Sequence, residues 1–256
     1  MTARGSFATL GGARKVAFVV NDAKVRRWAG TFGVAGFVVF LAALPLYYLA
    51  GPEPRIEDTA ATSAFVTRAS TFILTRAALA DPLIMIGFLV FLAGFRHTIR
   101  LARPDHEWVS TLVFGAGLVV ITLELVGDAL QAAAALDTVV KAEPAVVRGL
   151  IEASFPFFGA VGLLMSALFL SSAGYATLAT GALPKWTGWV AYGAAVANLA
   201  AAPSILLGPD YRAFYTATGY VTMIGQGLLV IWFSVASVSM IVVKPATEAS
   251  TPGNGV

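Results

Sequence analysis

The chain has 256 residues, of which 58% are hydrophobic and only 12% charged. Soluble domains carry about 25% charged residues, so the composition excludes an ordinary water-soluble domain and points to an integral membrane protein. Cysteine is absent, which excludes disulfides, thiolate chemistry and Cys-ligated metals. The net charge of +3 matters less than its placement.

Residues 1–27 form a basic arm. Its stretch "ARKVAFVVNDAKVRRW" mixes basic and apolar residues. It reads either as a segment lying on anionic lipid headgroups of the inner leaflet or as a plain orientation signal. It lacks the interleaved aromatics of a nucleic-acid interface, so no nucleic-acid partner is expected. Six apolar runs follow, at about 29–50, 72–94, 109–133, 153–176, 187–208 and 216–242. A bilayer core of about 30 Å needs about 20 apolar residues per helix. The runs are continuous rather than alternating, so helices are expected, not a β-barrel. The first run is about twice the length of a signal-peptide core, so an uncleaved first span is expected. The expected fold is an all-α, six-helix transmembrane bundle over residues 28–243, followed by a disordered cytoplasmic tail at 244–256.

Lys and Arg set the expected orientation. With the N-terminus in the cytoplasm, eleven basic residues lie inside (Arg4, Arg14, Lys15, Lys24, Arg26, Arg27, Arg96, Arg100, Arg103, Lys185 and Lys244). Five lie outside (Arg55, Arg68, Lys141, Arg148 and Arg212). Cytoplasmic loops carry the basic excess, so both termini are expected in the cytoplasm. Small residues pattern several spans: Gly30, Gly33 and Gly36 in the first, Gly159, Gly162 and Ser166 in the fourth, and most of "VAYGAAVANLAAAP" in the fifth. They fit close packing within the bundle or a homo-oligomer face.

Arg76, Asp81, Glu124 and Asp128 fall inside the expected spans. Each costs about 2.5–3.5 kcal/mol at a helix centre, so the second span, with two of them, needs partners. Arg76 and Asp81 are five residues apart. That is about 140° around an α-helix, so they are expected to point apart. Glu124, Asp128 and Gln131 follow i, i+4 and i+7 on one face of the third span. By rise along the helix, Arg76 lies about 6 Å and Asp81 about 14 Å below the outer boundary. Arg76 is therefore expected to pair with Glu124 at similar depth, leaving Asp81 without an assigned partner. Pro82 removes a helical donor from the carbonyl of Ala78. The kink fits a wet cavity or equally a tolerated membrane-helix proline. Asn198 in the fifth span and Tyr215, Thr222 and Gln226 along the sixth add polar groups at compatible depth. Glu152 and Ser154 open the fourth.

Other chemistry is missing. His97 and His106 fall in one inner loop, so His-ligated metal or haem sites are not expected. There is no Gly-x-Ser-x-Gly motif, no Walker loop and no lysine in the last span. No cofactor, metal or catalytic residue is assigned. Two carboxylates at helical spacing are a weak sign of acid/base chemistry.

The stretch "LFLSSAGYATLATGALPKWTGWVAYGAAVANLAA", residues 168–201, contains a Leu-Pro-Lys-Trp turn followed by Gly-Trp: Leu183, Pro184, Lys185, Trp186, Gly188 and Trp189. It resembles a segment of uncharacterised bacterial six-span membrane proteins, many of them actinobacterial. The resemblance covers about an eighth of the chain. It implies a multi-pass protein of the bacterial inner membrane and carries no functional residue across.

The leading expectation is a carrier or receptor for a small polar, cationic or proton-coupled ligand. Its outward-opening acidic pocket would be formed by Asp81, Glu124 and Asp128, with Arg76 fixing the geometry and Gln131, Asn198, Thr222 and Gln226 contributing. The alternatives are a structural or regulatory membrane protein whose buried charges only hold helices together and, third, a membrane-embedded enzyme acting on lipid-like substrates.

Overall fold

The computed structural model describes residues 10–51, 53–139 and 143–242. Residues 1–9 of the basic arm and the tail 244–256 lie outside them. The described chain is all helical. Its elements are α1 (Leu10–Leu49), α2 (Thr59–Thr75), a π-turn (Arg76–Ala80) and α3 (Asp81–Ala102). After a 3-10 turn (Pro104–His106) come α4 (Glu107–Val139), α5 (Pro144–Phe158), α6 (Ala160–Thr180) and α7 (Lys185–Ala201). A second 3-10 turn (Ala202–Leu207) precedes α8 (Tyr220–Val242).

Six helical segments are long and apolar enough to cross a membrane: 22–46, 59–102, 104–137, 144–180, 185–207 and 220–242. They match the expected spans in number and order but not in extent. The stretches left between the expected spans at 51–71 and 134–152 are largely helical where described. Asp58 caps α2 by accepting a 2.9 Å hydrogen bond from the amide of Ala61, satisfying an orphan donor of the first turn. Downstream, Thr62, Phe65, Val66 and Ala69 are buried at i, i+3, i+4 and i+7. They meet Ala134, Ala135 and Val147 in a small core of their own. Pro144 at the first turn of α5 has a ready-made helical φ and loses no bonded donor. Arg148 then bonds Glu152 at 2.7 Å and reaches Thr59 Oγ1 at 3.1 Å, tying α5 to the start of α2. The sixth span starts later than expected: residues 208–219 form a folded connection closed by the amide of Ala217 on the carbonyl of Gly208 at 3.0 Å.

The main core is aromatic. Phe88, Phe91, Phe95, Phe169, Trp232 and Phe233 interlock, with Phe88 and Phe233 centroids 4.7 Å apart in edge contact, a favoured geometry. The indole of Trp232 donates to the carbonyl of Thr187 at 3.0 Å, joining α8 to α7. Small residues seat α1 against its neighbours. A Cβ on Gly87 would lie 2.7 Å from the carbonyl oxygen of Phe32 and 3.1 Å from Cα of Gly36, and a Cβ on Gly30 would lie 2.7 Å from the carbonyl oxygen of Ser237. These glycines are thus used for packing within the chain.

Two findings modify the reading of the basic arm. It is helical from Leu10, and Arg26 is buried. Its guanidinium donates to the carbonyls of Met240 at 3.0 Å and Ser239 at 3.3 Å, a cation on the last carbonyls of α8. At the same end of the bundle, Trp28, Trp108, Trp186 and Trp189 are all exposed.

Candidate functional site

The π-turn organises the site. Pro82 offers no amide hydrogen, and its ring crowds the carbonyl four residues back. Over Arg76–Ala80 the helix widens, and the amide of Asp81 donates to the carbonyl of Arg76. This i to i+5 pattern stacks Arg76 above Asp81, where an α-helix would turn them apart. The expected Arg76–Glu124 pair is therefore not formed. Arg76 Nη1 lies 2.7 Å from Asp81 Oδ2 and 3.3 Å from Asp128 Oδ1, and Nη2 donates to Gln131 Oε1. Gln131 passes the contact on by donating to Ser154 Oγ at 3.2 Å, and Ser154 donates to the carbonyl of Ile151 at 2.7 Å. The network links the π-turn, α4 and α5, and the side chains of Arg76, Asp81 and Asp128 are each nearly enclosed.

This cluster forms one wall of a cavity of about 390 Å³. Glu124 lines it one turn along α4 from Asp128. Its Oε1 is sealed from solvent and has no hydrogen-bond partner among the described residues. Two carboxyl groups thus contact the guanidinium, and a third, that of Glu124, shares the lining with them. The rest of the lining is mostly apolar and includes Phe37 and Phe40 of α1, Phe72 of α2, Phe155 and Phe158 of α5, and Met223, Val230 and Phe233 of α8.

Thr222 and Gln226 reach the cavity from α8. Gln226 faces Glu124 and donates to the carbonyl of Phe158 at 3.0 Å, beside the break between α5 and α6 at Gly159. Thr222 Oγ1 sits 3.4 Å from Ser204 Oγ. Two expected contributors lie elsewhere. Asn198 is fully buried behind the wall, where its amide donates to the carbonyls of Ala194 at 2.9 Å and Gly225 at 2.8 Å, tying α7 to α8. Tyr215 lies in the connection before α8, and its hydroxyl donates to the carbonyl of Ala200 at 2.6 Å.

Sequence reasoning missed the mouth. Glu53 and Tyr211, from two connections far apart in sequence, hydrogen-bond through their side chains. Both line the main cavity and a smaller one of about 170 Å³ beyond it, so they stand between the two. Glu53 keeps solvent-accessible surface but is hemmed in by protein. That desolvation pushes its carboxyl above the ordinary value, against the opposing effects of the Tyr211 hydroxyl and the Arg76 charge. The same crowding, with the Glu53 charge beside it, raises the Tyr211 phenol. Nothing in "GPEPRIED" signals this partnership, and the apolar aromatics of the cavity carry no sequence mark that separates them from core.

No set of three His, Cys, Asp or Glu side chains is placed to hold a metal ion among the described residues. Compared with known proteins, the chain matches no protein family, no curated protein and no solved structure.

Proposed function

We propose that the chain is a multi-pass protein of the bacterial inner membrane with both termini in the cytoplasm. In this reading it binds a small cationic ligand, as a carrier or receptor, in a cavity that opens toward the outside. The observation that carries the reading is the charge count of the cavity wall. Asp81, Glu124 and Asp128, with Glu53 at the mouth, line the cavity against the single Arg76 guanidinium, and Glu124 Oε1 has no hydrogen-bond partner among the described residues. Buried charge requires compensation. Protons or a bound cation supply it here, which makes ligand and proton binding competitive. The basic end of the bundle, with its exposed tryptophans, supports the orientation.

The test uses the full chain in phospholipid nanodiscs, with calorimetric titration of primary and quaternary ammonium ions. Saturable binding that weakens as pH falls is expected, together with at least tenfold loss in Glu124→Gln. Binding that ignores both pH and Glu124 would sink the reading.

A second reading has one specific observation in its favour. Arg76 is already bonded by Asp81, Asp128 and Gln131, as a purely structural network would be. Under it, no ammonium ion binds at Glu124, and the cluster serves only to join the π-turn, α4 and α5.

A further inference from the structure

The cavity lining combines two chemistries. Asp81, Glu124 and Asp128 line it from α3 and α4, and Glu53 lines it at the mouth. Phe37, Phe40, Phe72, Phe155, Phe158 and Phe233 make up much of the rest. A compact, fully hydrated cation such as an inorganic ion would lose its water against the phenylalanines and regain little. A neutral apolar molecule would leave the Asp81, Glu124 and Asp128 carboxyls, three against the one Arg76 guanidinium in the lining, without further charge compensation. Only a ligand with a charged head and an apolar body matches both chemistries, and the aromatic faces add attraction for the head's positive charge.

Size narrows the class. Ligand pockets run from about 300 to 1,000 Å³, so about 390 Å³ suits one alkyl chain or one aryl group rather than a two-chain lipid. Position narrows the source. Helices α1 and α8 touch where Gly30 and Gly33 meet Ser237. Beyond that contact, Phe37 and Phe40 on α1 and Met223 and Val230 on α8 line the cavity. Met223 is also 58% exposed. The cavity is therefore lined by both helices on the far side of that contact, as well as by the mouth at Glu53 and Tyr211.

We infer that the ligand is a single-chain lipophilic amine, with its ammonium group at Glu124, its hydrocarbon body against the phenylalanines, and access from the bilayer between α1 and α8. This rests on the cation-binding reading above and specifies the other half of the molecule bound.

The experiment compares octylamine, butylamine, tetramethylammonium and 1-octanol on the full chain in nanodiscs, at measured free aqueous concentrations. Nanodiscs carrying Glu124→Gln supply the background of simple partitioning. Burial of a methylene tightens binding about fourfold, so octylamine should bind about 200-fold more tightly than butylamine. 1-Octanol should show no Glu124-dependent component. Butylamine or tetramethylammonium binding as tightly as octylamine would overturn this inference and leave cation binding standing. Equal binding of 1-octanol and octylamine, or no saturable binding of any amine, would overturn both. Should Glu124→Gln fail to fold, the wild-type series still decides: octylamine against 1-octanol isolates the charge, and octylamine against butylamine isolates the chain.

Discussion

Arg76 and Asp81, five residues apart on one continuous helical rod, form a 2.7 Å ion pair because the turn between them is π rather than α. The pair and the proline that follows it are one feature. Removing one residue from the π-turn, by deleting Ala78, would restore α geometry and force the Pro82 ring against the preceding carbonyls. That clash costs about 3 kcal/mol or more. The deletion should therefore destabilise the chain strongly in a denaturant titration, and Pro82→Ala should rescue most of the loss. Equal stability of the deletion with and without Pro82→Ala would refute the link.

Double-mutant cycles will distinguish the observed network from the one expected from helical depth. Arg76 with Asp81, and Arg76 with Asp128, should show coupling of about 1–3 kcal/mol, as groups in direct contact do. Arg76 with Glu124 should show less than about 0.5 kcal/mol. Arg76→Leu alone should cost about 3–5 kcal/mol, since it leaves buried carboxyls without their partner. The readout is equilibrium unfolding in mixed micelles.

The Glu53 carboxyl has a pH signature. Its pKa is raised in the folded chain above the ordinary 4.5, so the folded state holds its proton to higher pH than the unfolded state. Stability from this group is present below pH 4.5 and is lost as pH rises through the folded value. Melting curves from pH 4 to pH 7 should show wild type losing ground to Glu53→Gln as pH rises. The effect should be small, because Glu53 retains contact with solvent.

Glycine substitutions test the packing of α1. Gly87→Ala places a methyl 2.7 Å from the carbonyl oxygen of Phe32, and overpacking of this kind costs about 1–3 kcal/mol. Gly115 and Gly193 have open space at the same position. Alanine there should be neutral, or stabilising by up to about 1 kcal/mol through helix propensity. Thermal melts of the three variants give the comparison directly.

The proposed orientation is accessible because the chain has no cysteine of its own. Single-cysteine variants Arg55→Cys and Arg103→Cys, at opposite ends of the bundle, should label differently in intact cells. A membrane-impermeant maleimide should reach residue 55 and not residue 103. The reverse pattern would invert the proposed topology.

Much of the fold was legible because helices long and apolar enough to cross a membrane announce themselves in the sequence. Their ends were not. The end of an apolar run marks where hydrophobicity stops, while the helix stops where caps such as Asp58 and Gly181 stop it. Within the site, the shared face of Glu124, Asp128 and Gln131 was readable from α-helical spacing, and the structure brings all three to the cavity. The partner of Asp81 was not legible, because α-helical spacing turns it away from Arg76 and only the π-turn before Pro82 brings the two together. Glu53, Tyr211 and the cavity phenylalanines were out of reach because their roles depend on contacts between distant segments.

The exposed tryptophans carry a last consequence. Trp28, Trp108, Trp186 and Trp189 all crowd one end of the bundle, and the fifth tryptophan, Trp232, is buried in the core. In the proposed orientation, tryptophans mark one interface, and the exposed Tyr215 and Tyr220 stand at the other end. The rod from Thr59 to Ala102, 44 residues and about 66 Å at 1.5 Å per residue, is about twice as long as a bilayer core requires. In that orientation a thicker or thinner bilayer is accommodated by the excess helix length, with the lipid surface rising or falling along α2 and α5. Acyl-chain length thereby sets how far the mouth at Glu53 and Tyr211 stands above the lipid, and membrane thickness becomes a variable that acts on the site without touching it.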